Sequence, residues 1–303
     1  MTVATVREAL EDGIGRLRAA GSESPRLDAE LLLGHVLGLE RTQVLAHPEA
    51  RLGDGQLERY GLLIERRAVG EPVAYIRGTK EFFGLAFNVD QRALIPRPET
   101  ERLVELTLER IVEALTRAPR PPGTPPLRVL DIGTGNGALA IALAVTLRRR
   151  GFGREVRFIA SDSSPEALEL ALENAVGHGV ADLIDFRNAD LIEPSVQVGG
   201  RANVIAANLP YIPSGVVPGL PVAASFEPPM ALDGGTDGLD VVRRLIDGLP
   251  EGLERDGVAL VEIGANQAAG VRSAAEERLP GWSVALHSDL AGRDRVAELR
   301  PPR

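Results

Sequence analysis

The sequence contains no cysteine, which excludes disulfide bonds, a thiolate metal site and a cysteine nucleophile. It also lacks an apolar run long enough to cross a bilayer, and its first residues lack the basic-then-apolar order of a signal peptide. We therefore expect a cytoplasmic protein with no membrane association.

An excess of basic residues is also missing, because the formal net charge is −9. Proteins that grip nucleic acid broadly usually present a basic face. The acidic balance therefore favours a protein or a small molecule as the partner, and we expect no direct binding of nucleic acid. Charge alone says nothing about the oligomeric state.

The chain is long enough for two domains, with 303 residues of which 44% are hydrophobic. Apolar residues recur at helical spacing early in the chain, as at Val6, Leu10 and Leu17, which predicts a small helical domain over residues 1–80. Residues 81–96 are bulky and apolar but are interrupted by Asn88-Val89-Asp90, which suggests a linking β-hairpin. A larger domain is then predicted over residues 97–303.

In the larger domain, apolar strands alternate with helices, which is typical of a mostly parallel sheet covered on both faces. The predicted strands are 127–132, 156–161, 183–187, 203–207 and 258–263, with two more within 282–300. The predicted helices are 138–149, 165–177, 237–249 and 266–278. The pattern predicts an α/β fold.

A glycine-rich turn follows the first strand of this sheet, with the sequence Gly133-Thr134-Gly135-Asn136-Gly137. Glycines let a backbone approach a ligand closely, and no Lys-Ser/Thr pair follows as in a phosphate-gripping loop. The next two strands are followed by Asp162 and Asp190, and a carboxylate after such a strand can accept hydrogen bonds from ribose hydroxyls. Together these residues favour a nucleoside cofactor, with NAD still possible, although each residue alone is more often structural.

The fourth strand ends in Asn208-Leu209-Pro210-Tyr211, which is either an ordinary turn or a clamp for a planar nitrogen nucleophile. An amide nitrogen is a poor nucleophile, but the Asn208 side-chain oxygen and a main-chain carbonyl can accept hydrogen bonds from both of its N–H groups. These acceptors bind more strongly as the nitrogen gains positive charge during methyl transfer. Tyr211 offers a flat face for stacking. If the methyl donor is a sulfonium, its leaving group is already activated, so no metal is expected.

Several segments resemble those of the HemK/PrmC-type protein-glutamine methyltransferases, and the resemblance runs over almost the whole chain. The segments are LIPRPETE (94–101), DIGTGNG (131–137), SD (161–162), NLPY (208–211), FEPPMALDGGTDGL (226–239) and VEIGANQ (261–267). The glycine turn and Asp162 are common to many class I methyltransferases, whereas the first and fifth segments are more specific. The resemblance implies a Rossmann-like class I methyltransferase fold, with a mostly parallel seven-stranded sheet, an antiparallel last strand and a helical N-terminal domain.

The resemblance also implies roles for individual residues. The cofactor S-adenosylmethionine would contact the turn from Gly133 to Gly137 and Asp162, its adenine would lie against Asp190 and Leu191, and its methyl group would face Asn208. Residues 208–211 would hold the substrate glutamine, with Asn208 and Tyr211 as the catalytic pair. The implied substrate is the Gly-Gly-Gln loop of bacterial peptide chain release factors, whose body the N-terminal domain would recognise.

One position departs from the family pattern, which usually has Asn-Pro-Pro-Tyr where this chain has Leu209. The expected acceptor there is a main-chain carbonyl, which leucine also has, and Pro210 biases Leu209 toward an extended conformation. Asn-Leu-Pro-Tyr also occurs in ribosomal RNA adenine dimethyltransferases. The alternatives are therefore a ribosomal-protein glutamine methyltransferase, a nucleic-acid adenine N6-methyltransferase and a non-catalytic binding protein.

Overall fold

The computed structural model describes residues 4–117, 121, 123–193 and 200–302. The chain divides into two compact units, of which the first comprises residues 1–79 and 220–226 and the second comprises residues 80–219 and 227–303. Within the described ranges, no helix combines the length and the apolar character needed to cross a membrane.

The first unit is a bundle of short helices, as its apolar spacing predicts. The helices are α1 (Val6–Ala19), α2 (Pro25–Leu37), α3 (Arg41–Ala46), α4 (Asp54–Ala68) and α5 (Val73–Arg77). Thr5 and Glu8 form a capping box at the start of α1, and Gly38 ends α2 in the left-handed conformation. The core between the helices includes Leu17 and Ile64, which are fully buried.

A β-hairpin follows, formed by β1 (Thr79–Phe82) and β2 (Leu85–Asn88). Its turn lies at Phe83-Gly84, where φ is 52° and 68°. The prediction that Asn88-Val89-Asp90 interrupts the two strands is wrong, because Asn88 is the last residue of β2. A type I′ hairpin turn has positive φ at both central residues, which Gly84 adopts at no cost, whereas Val89 is buried. The side chains of Phe82 and Phe87 pack into the core of the second unit.

The second unit contains a seven-stranded sheet that confirms the predicted class I methyltransferase fold. Its strands are β3 (Leu127–Ile132), β4 (Val156–Asp162), β5 (Ile184–Asn188), β6 (Ala202–Ala207), β7 (Leu253–Glu262), β8 (Ser283–Ser288) and β9 (Asp294–Arg300). The order across the sheet is β5-β4-β3-β6-β7-β9-β8. The first five strands in this order pair in parallel, and β9 is antiparallel to both of its neighbours, as predicted for the last strand.

Helices cover both faces of this sheet. They are α6 (Thr100–Thr116), α7 (Ala138–Arg149), α8 (Pro165–Gly177), α9 (Asp240–Gly252) and α10 (Ala268–Arg278). Side chains alternate along the strands, so that Val129 and Val204 join the core with α6 and α7, while Leu130 and Ile205 join the core with α9 and α10. Burial on both faces explains why the strands read as continuous apolar runs.

The position of β3 determines where a ligand can bind. β3 has β4 on one side and β6 on the other, so the chain winds outward from it in both directions. In open α/β sheets the crevice beyond the carboxyl ends of the strands at such a switch point is the usual ligand site. The segments that follow β3 and β6 are the glycine turn at 133–137 and the motif at 208–211.

Phe87 tests how far the hairpin stabilises the second unit. Its ring is fully buried, with its centroid 6.1 Å from that of Phe82 and 5.0 Å from that of His178. We expect Phe87→Ala to lower the free energy of unfolding by about 3–5 kcal/mol, because it leaves a cavity. Urea unfolding followed by the fluorescence of Trp282, the single tryptophan, measures this in the second unit.

Leu172→Ala is the matched control for this substitution, because the Leu172 side chain is half exposed on α8. It should change the free energy of unfolding by less than about 0.5 kcal/mol. Equal effects of the two substitutions would show that the hairpin contributes nothing beyond ordinary surface packing.

Candidate active site

The ends of β3 and β6 lie level with each other, because Ile132 is paired in parallel with Ala207. The glycine turn and Asn208 therefore begin side by side at the same edge of the sheet. A Cβ placed on Gly133 would lie 3.3 Å from the main-chain oxygen of Asn208 and 3.2 Å from Cδ2 of Leu209. Any larger residue at position 133 would crowd the motif that follows β6.

A cavity of about 340 Å³ opens at this edge, within the second unit. Most of the residues that the sequence singles out line it: Gly133, Thr134, Gly135, Asn136, Asp162, Asp190, Leu191, Asn208, Leu209 and Pro210. Two of the predicted site residues, Gly137 and Tyr211, are not among the lining residues. Arg97, from the LIPRPETE segment, also contributes to the wall.

Gly137 is required by packing rather than by the cavity. Its φ is 82°, and a Cβ there would lie 2.8 Å from Cδ1 of Ile141 and 3.1 Å from Cβ of Ala171 on α8. The glycine therefore allows the first turn of α7 to contact α8 closely. Gly137 is also the left-handed residue that directly precedes α7.

Asp131, the buried residue before the end of β3, ties the glycine turn to α7. Its Oδ2 accepts hydrogen bonds from the Thr134 hydroxyl at 2.7 Å and from the Ala140 N–H at 3.2 Å. Burial raises the pKa of Asp131 to about 7, opposed by these two hydrogen bonds, while the nearby charge of Asp162 raises it further. Asp131 is not among the site residues predicted from the sequence, although an acid inside the apolar run LRVLDI is unusual.

Asp162 presents a carboxylate that is organised by the backbone. Its Oδ2 accepts a hydrogen bond from the Gly135 N–H, and its Oδ1 accepts one from the Ser164 N–H, each at 2.9 Å. Burial raises the pKa of Asp162, and these backbone hydrogen bonds oppose the rise. Each oxygen retains a second lone pair, so the carboxylate can still accept hydrogen bonds from a pair of hydroxyls in the cavity.

Asp190 and Leu191 form the wall beyond β5. Leu191 has a φ of 47°, a left-handed conformation that is rare for a leucine and marks a strained position. The Asp190 carboxylate forms an ion pair with Arg244 of α9, and both side chains are more than half exposed. Such an exposed pair contributes little stability, so the carboxylate can exchange this partner at little cost.

The motif that follows β6 is anchored by Leu209, whose side chain is buried in the core shared with α9 and α10. Tyr211 is turned toward β7, and burial raises the pKa of its hydroxyl to about 12. Its main-chain oxygen accepts a hydrogen bond from Nε2 of Gln267 at 2.8 Å. The proposed stacking of a substrate amide on the Tyr211 ring stays a prediction.

The Asn208 side chain is half buried and is held by the start of α6. Its Nδ2 donates to Oγ1 of Thr100 at 3.0 Å. Thr100 is itself 6% exposed, and its hydroxyl lies next to the carboxylate of Glu262, at the end of β7. Neither Thr100 nor Glu262 is among the site residues predicted from the sequence, although an acid at the end of the apolar strand VALVEI is unusual.

Glu262 is 1% exposed, and burial raises its pKa to about 7. The Thr100 hydroxyl opposes this rise, the charge of Glu99 adds to it, and Arg295 and the Tyr211 hydroxyl also oppose it. Its Oε2 has no hydrogen-bond partner among the described residues. A buried carboxylate oxygen without a hydrogen bond costs free energy. Buried acids with raised pKa values are common at functional sites.

An ion pair joins the two most family-specific segments at the mouth of the cavity. Arg97 of LIPRPETE donates from Nη2 to Oε2 of Glu227 at 2.5 Å. Glu227, from FEPPMALDGGTDGL, is buried, which raises its pKa, and the Arg97 charge opposes the rise. Pro228 and Met230 continue from Glu227 along the cavity wall.

Comparison with known proteins identifies the family to which these features belong. A model described as the PrmC N-terminal domain matches residues 8–78, and a methyltransferase domain model matches residues 124–232. The catalytic domain of hMettl16, solved with hairpin 1 of the MAT2A 3′UTR, is 15% identical, with a TM-score of 0.55, over 82% of this chain and 81% of that one. At that identity it shows the fold alone.

Two curated relatives are similar over nearly their whole lengths. The release factor glutamine methyltransferase of Moorella thermoacetica is 39% identical over 293 residues, which is 96% of each chain. The release factor glutamine methyltransferase of Deinococcus radiodurans is 38% identical over 297 residues, 97% of this chain and 98% of that one. The chain belongs to the family of the release factor glutamine methyltransferases.

Proposed function

We propose that this protein transfers a methyl group from S-adenosylmethionine to the side-chain amide nitrogen of the glutamine in the Gly-Gly-Gln loop of a peptide chain release factor. The observation that carries the proposal is the shared cavity at the ends of β3 and β6, which has the glycine turn on one side and Asn208 on the other. Family membership supports the same substrate and reaction.

The residues around the cavity suit S-adenosylmethionine, which supplies an electrophilic methyl group on a sulfonium when bound. Asp162 offers two organised oxygens for the ribose hydroxyls, and Leu191 offers an apolar surface for the adenine. Gly135 leaves room for close approach of a ligand to the backbone, because the nearest atom to a Cβ at this position would be Cβ of Ala93 at 3.9 Å. The product would be S-adenosylhomocysteine.

The catalytic role of Asn208 would be to hold and polarise the amide nitrogen. Because its Nδ2 is bound to Thr100, its Oδ1 is available to accept one N–H of the substrate. The main-chain carbonyl of Leu209 would accept the other, supported by Pro210 and by the buried Leu209 side chain. Both acceptors gain interaction energy as the nitrogen becomes positive, which lowers the barrier more than it strengthens ground-state binding.

The division of labour between the predicted domains is also a proposal. We infer that residues 1–80 recognise the release factor, residues 81–96 link the domains and residues 97–303 catalyse the reaction. In support, the first unit exposes large apolar side chains at Leu62, Val69 and Val222, with exposures of 54%, 67% and 62%. Exposed apolar side chains can support docking of a protein partner. Translation termination places this reaction in the cytoplasm.

Asn208→Ala tests the catalytic role of this side chain. We expect kcat for methylation of purified release factor to fall by about 100-fold or more, because one transition-state acceptor is lost. Mass spectrometry of the loop peptide should show one added methyl group on the glutamine with the wild-type enzyme and almost none with the variant. Affinity for S-adenosylhomocysteine, measured by calorimetry, should change little.

Asn266→Ala is the matched control, because this asparagine is exposed on the loop after β7. It should methylate release factor at close to the wild-type rate. An adenine-containing RNA offered to the wild-type enzyme should gain no methyl group. Transfer to the RNA but not to release factor would replace the proposed function with nucleic-acid methylation.

Asp162→Asn tests the proposed ribose contact. We expect the Kd for S-adenosylhomocysteine to rise by about 10- to 100-fold, because charge-assisted hydrogen bonds are lost. Asp185→Asn, an exposed carboxylate on β5, should leave this Kd within about twofold of the wild-type value. Calorimetry on both variants decides the question, and an unchanged Kd for Asp162→Asn would remove this residue from the cofactor site.

A further inference from the structure

The amide of Asn208 has two chemically opposite ends, and only one of them helps the reaction. The oxygen end accepts hydrogen bonds, whereas the nitrogen end donates them and would oppose the N–H groups of a substrate amide. The two ends are similar in size, so packing alone distinguishes them poorly. A specific partner must therefore decide which end faces the cavity.

Thr100 is that partner, because its Oγ1 accepts from Nδ2 of Asn208 at 3.0 Å. A threonine hydroxyl can either donate or accept, so it fixes the amide only if its single proton is committed elsewhere. The Glu262 carboxylate lies next to the Thr100 hydroxyl, which lowers the pKa of the carboxyl group. When ionised, this carboxylate can only accept a hydrogen bond. The proton of Thr100 is then directed to Glu262, and its oxygen is left to accept from Asn208.

The fold brings these three side chains together from three elements. Ala207 pairs in parallel with Val261, so Asn208 and Glu262 both follow paired residues at the same edge of the sheet. Thr100 is the first residue of α6, and it lines the same cavity as Asn208. Thr100 and Glu262 are both more than nine-tenths buried, so water does not compete freely for their hydrogen bonds.

We propose that Thr100 and Glu262 are positioning residues that hold the Asn208 amide with its oxygen toward the substrate nitrogen. This inference rests on the proposed methyl transfer to an amide. Neither residue has to touch the substrate, since each acts through Asn208. Glu262 sets the direction of the Thr100 hydroxyl, and Thr100 sets the direction of the amide.

Thr100→Val tests the proposal, because valine has nearly the same shape but cannot accept a hydrogen bond. We expect kcat at saturating substrates to fall by about tenfold or more, because the amide loses the partner that fixes its orientation. The Kd for S-adenosylhomocysteine should stay within about twofold of the wild-type value. Thr100→Ser, which keeps the hydroxyl, should recover most of the lost kcat.

Thr107→Val is the matched control within the same helix. Thr107 is fully buried, and its hydroxyl donates to the main-chain oxygen of Leu103, one turn back in α6. Loss of that hydroxyl should leave kcat close to the wild-type value. The proposal is overturned if Thr100→Val keeps its kcat, or if Thr100→Ser is impaired as strongly as Thr100→Val, since packing would then be responsible.

The pH dependence of kcat gives a second readout, which a purely structural role would not change. Glu262 faces Thr100 and Tyr211, with Glu99 and Arg295 as the charged neighbours, and its pKa is about 7. Above this pH the carboxylate is ionised and accepts from Thr100, so kcat should be high. As the pH falls through 7 the carboxyl group gains a proton that it can donate, so kcat should decline.

Glu262→Gln should remove this acidic limb and lower kcat at pH 8.5 by several-fold, because its amide can donate as well as accept. Asp131 also has a pKa of about 7, but its carboxylate holds the glycine turn, so its protonation should weaken binding of S-adenosylmethionine. Measurement of kcat at saturating S-adenosylmethionine therefore separates its effect from that of Glu262. An acidic limb with an unchanged midpoint in Glu262→Gln would refute the role of Glu262. Absence of wild-type methylation would instead refute the proposed function itself.

Discussion

The parallel pairing of β3 with β6 is the constraint on which the rest of the site depends. Because Ile132 and Ala207 are paired, the two strands end together and their following segments leave the sheet side by side. The main-chain oxygen of Asn208 would lie 3.3 Å from a Cβ at position 133, so only a glycine fits there without crowding. Slippage of this pairing would separate the predicted cofactor turn from the predicted nucleophile clamp.

Buried carboxylates organise the edge of the sheet where the strands end. Asp131 binds Thr134 and Ala140, and Asp162 binds two backbone N–H groups, so each links a strand end to the turn or helix that follows. Glu262, at the end of β7, lies next to Thr100, the first residue of α6. These contacts hold loops that contain many glycines and prolines, although burial of each acid costs free energy.

Much of this arrangement could be predicted from local sequence, because the elements concerned are strongly periodic. The helices at 138–149 and 165–177 have the predicted bounds, and the strand at 127–132 does as well. Their apolar faces are continuous and their ends are marked by glycine or proline. The glycine turn and Asn208 were recognisable because the residues that carry the chemistry are adjacent in the chain.

Other features depend on contacts between distant residues and could not be predicted in this way. Thr100 is a usual residue at the start of a helix, and only the fold brings it 3.0 Å from Asn208, 108 positions later. The direction of Tyr211 depends on Glu262, the last residue of β7, and on Gln267, which follows this strand. The hairpin turn was missed because Asn88 and Asp90 are typical turn residues, whereas the actual turn uses Phe83 at positive φ.

Residues 220–226 belong to the first unit, although the chain on both sides of them belongs to the second unit. This segment follows the Asn208–Tyr211 motif and precedes Glu227, yet it is packed with residues 1–79. Gly70 lies so close to Val222 that a Cβ on the glycine would be 2.5 Å from the valine Cγ1. Truncation at residue 80 would remove the packing partners of this segment, while the segment itself would stay covalently joined to the second unit at both of its ends.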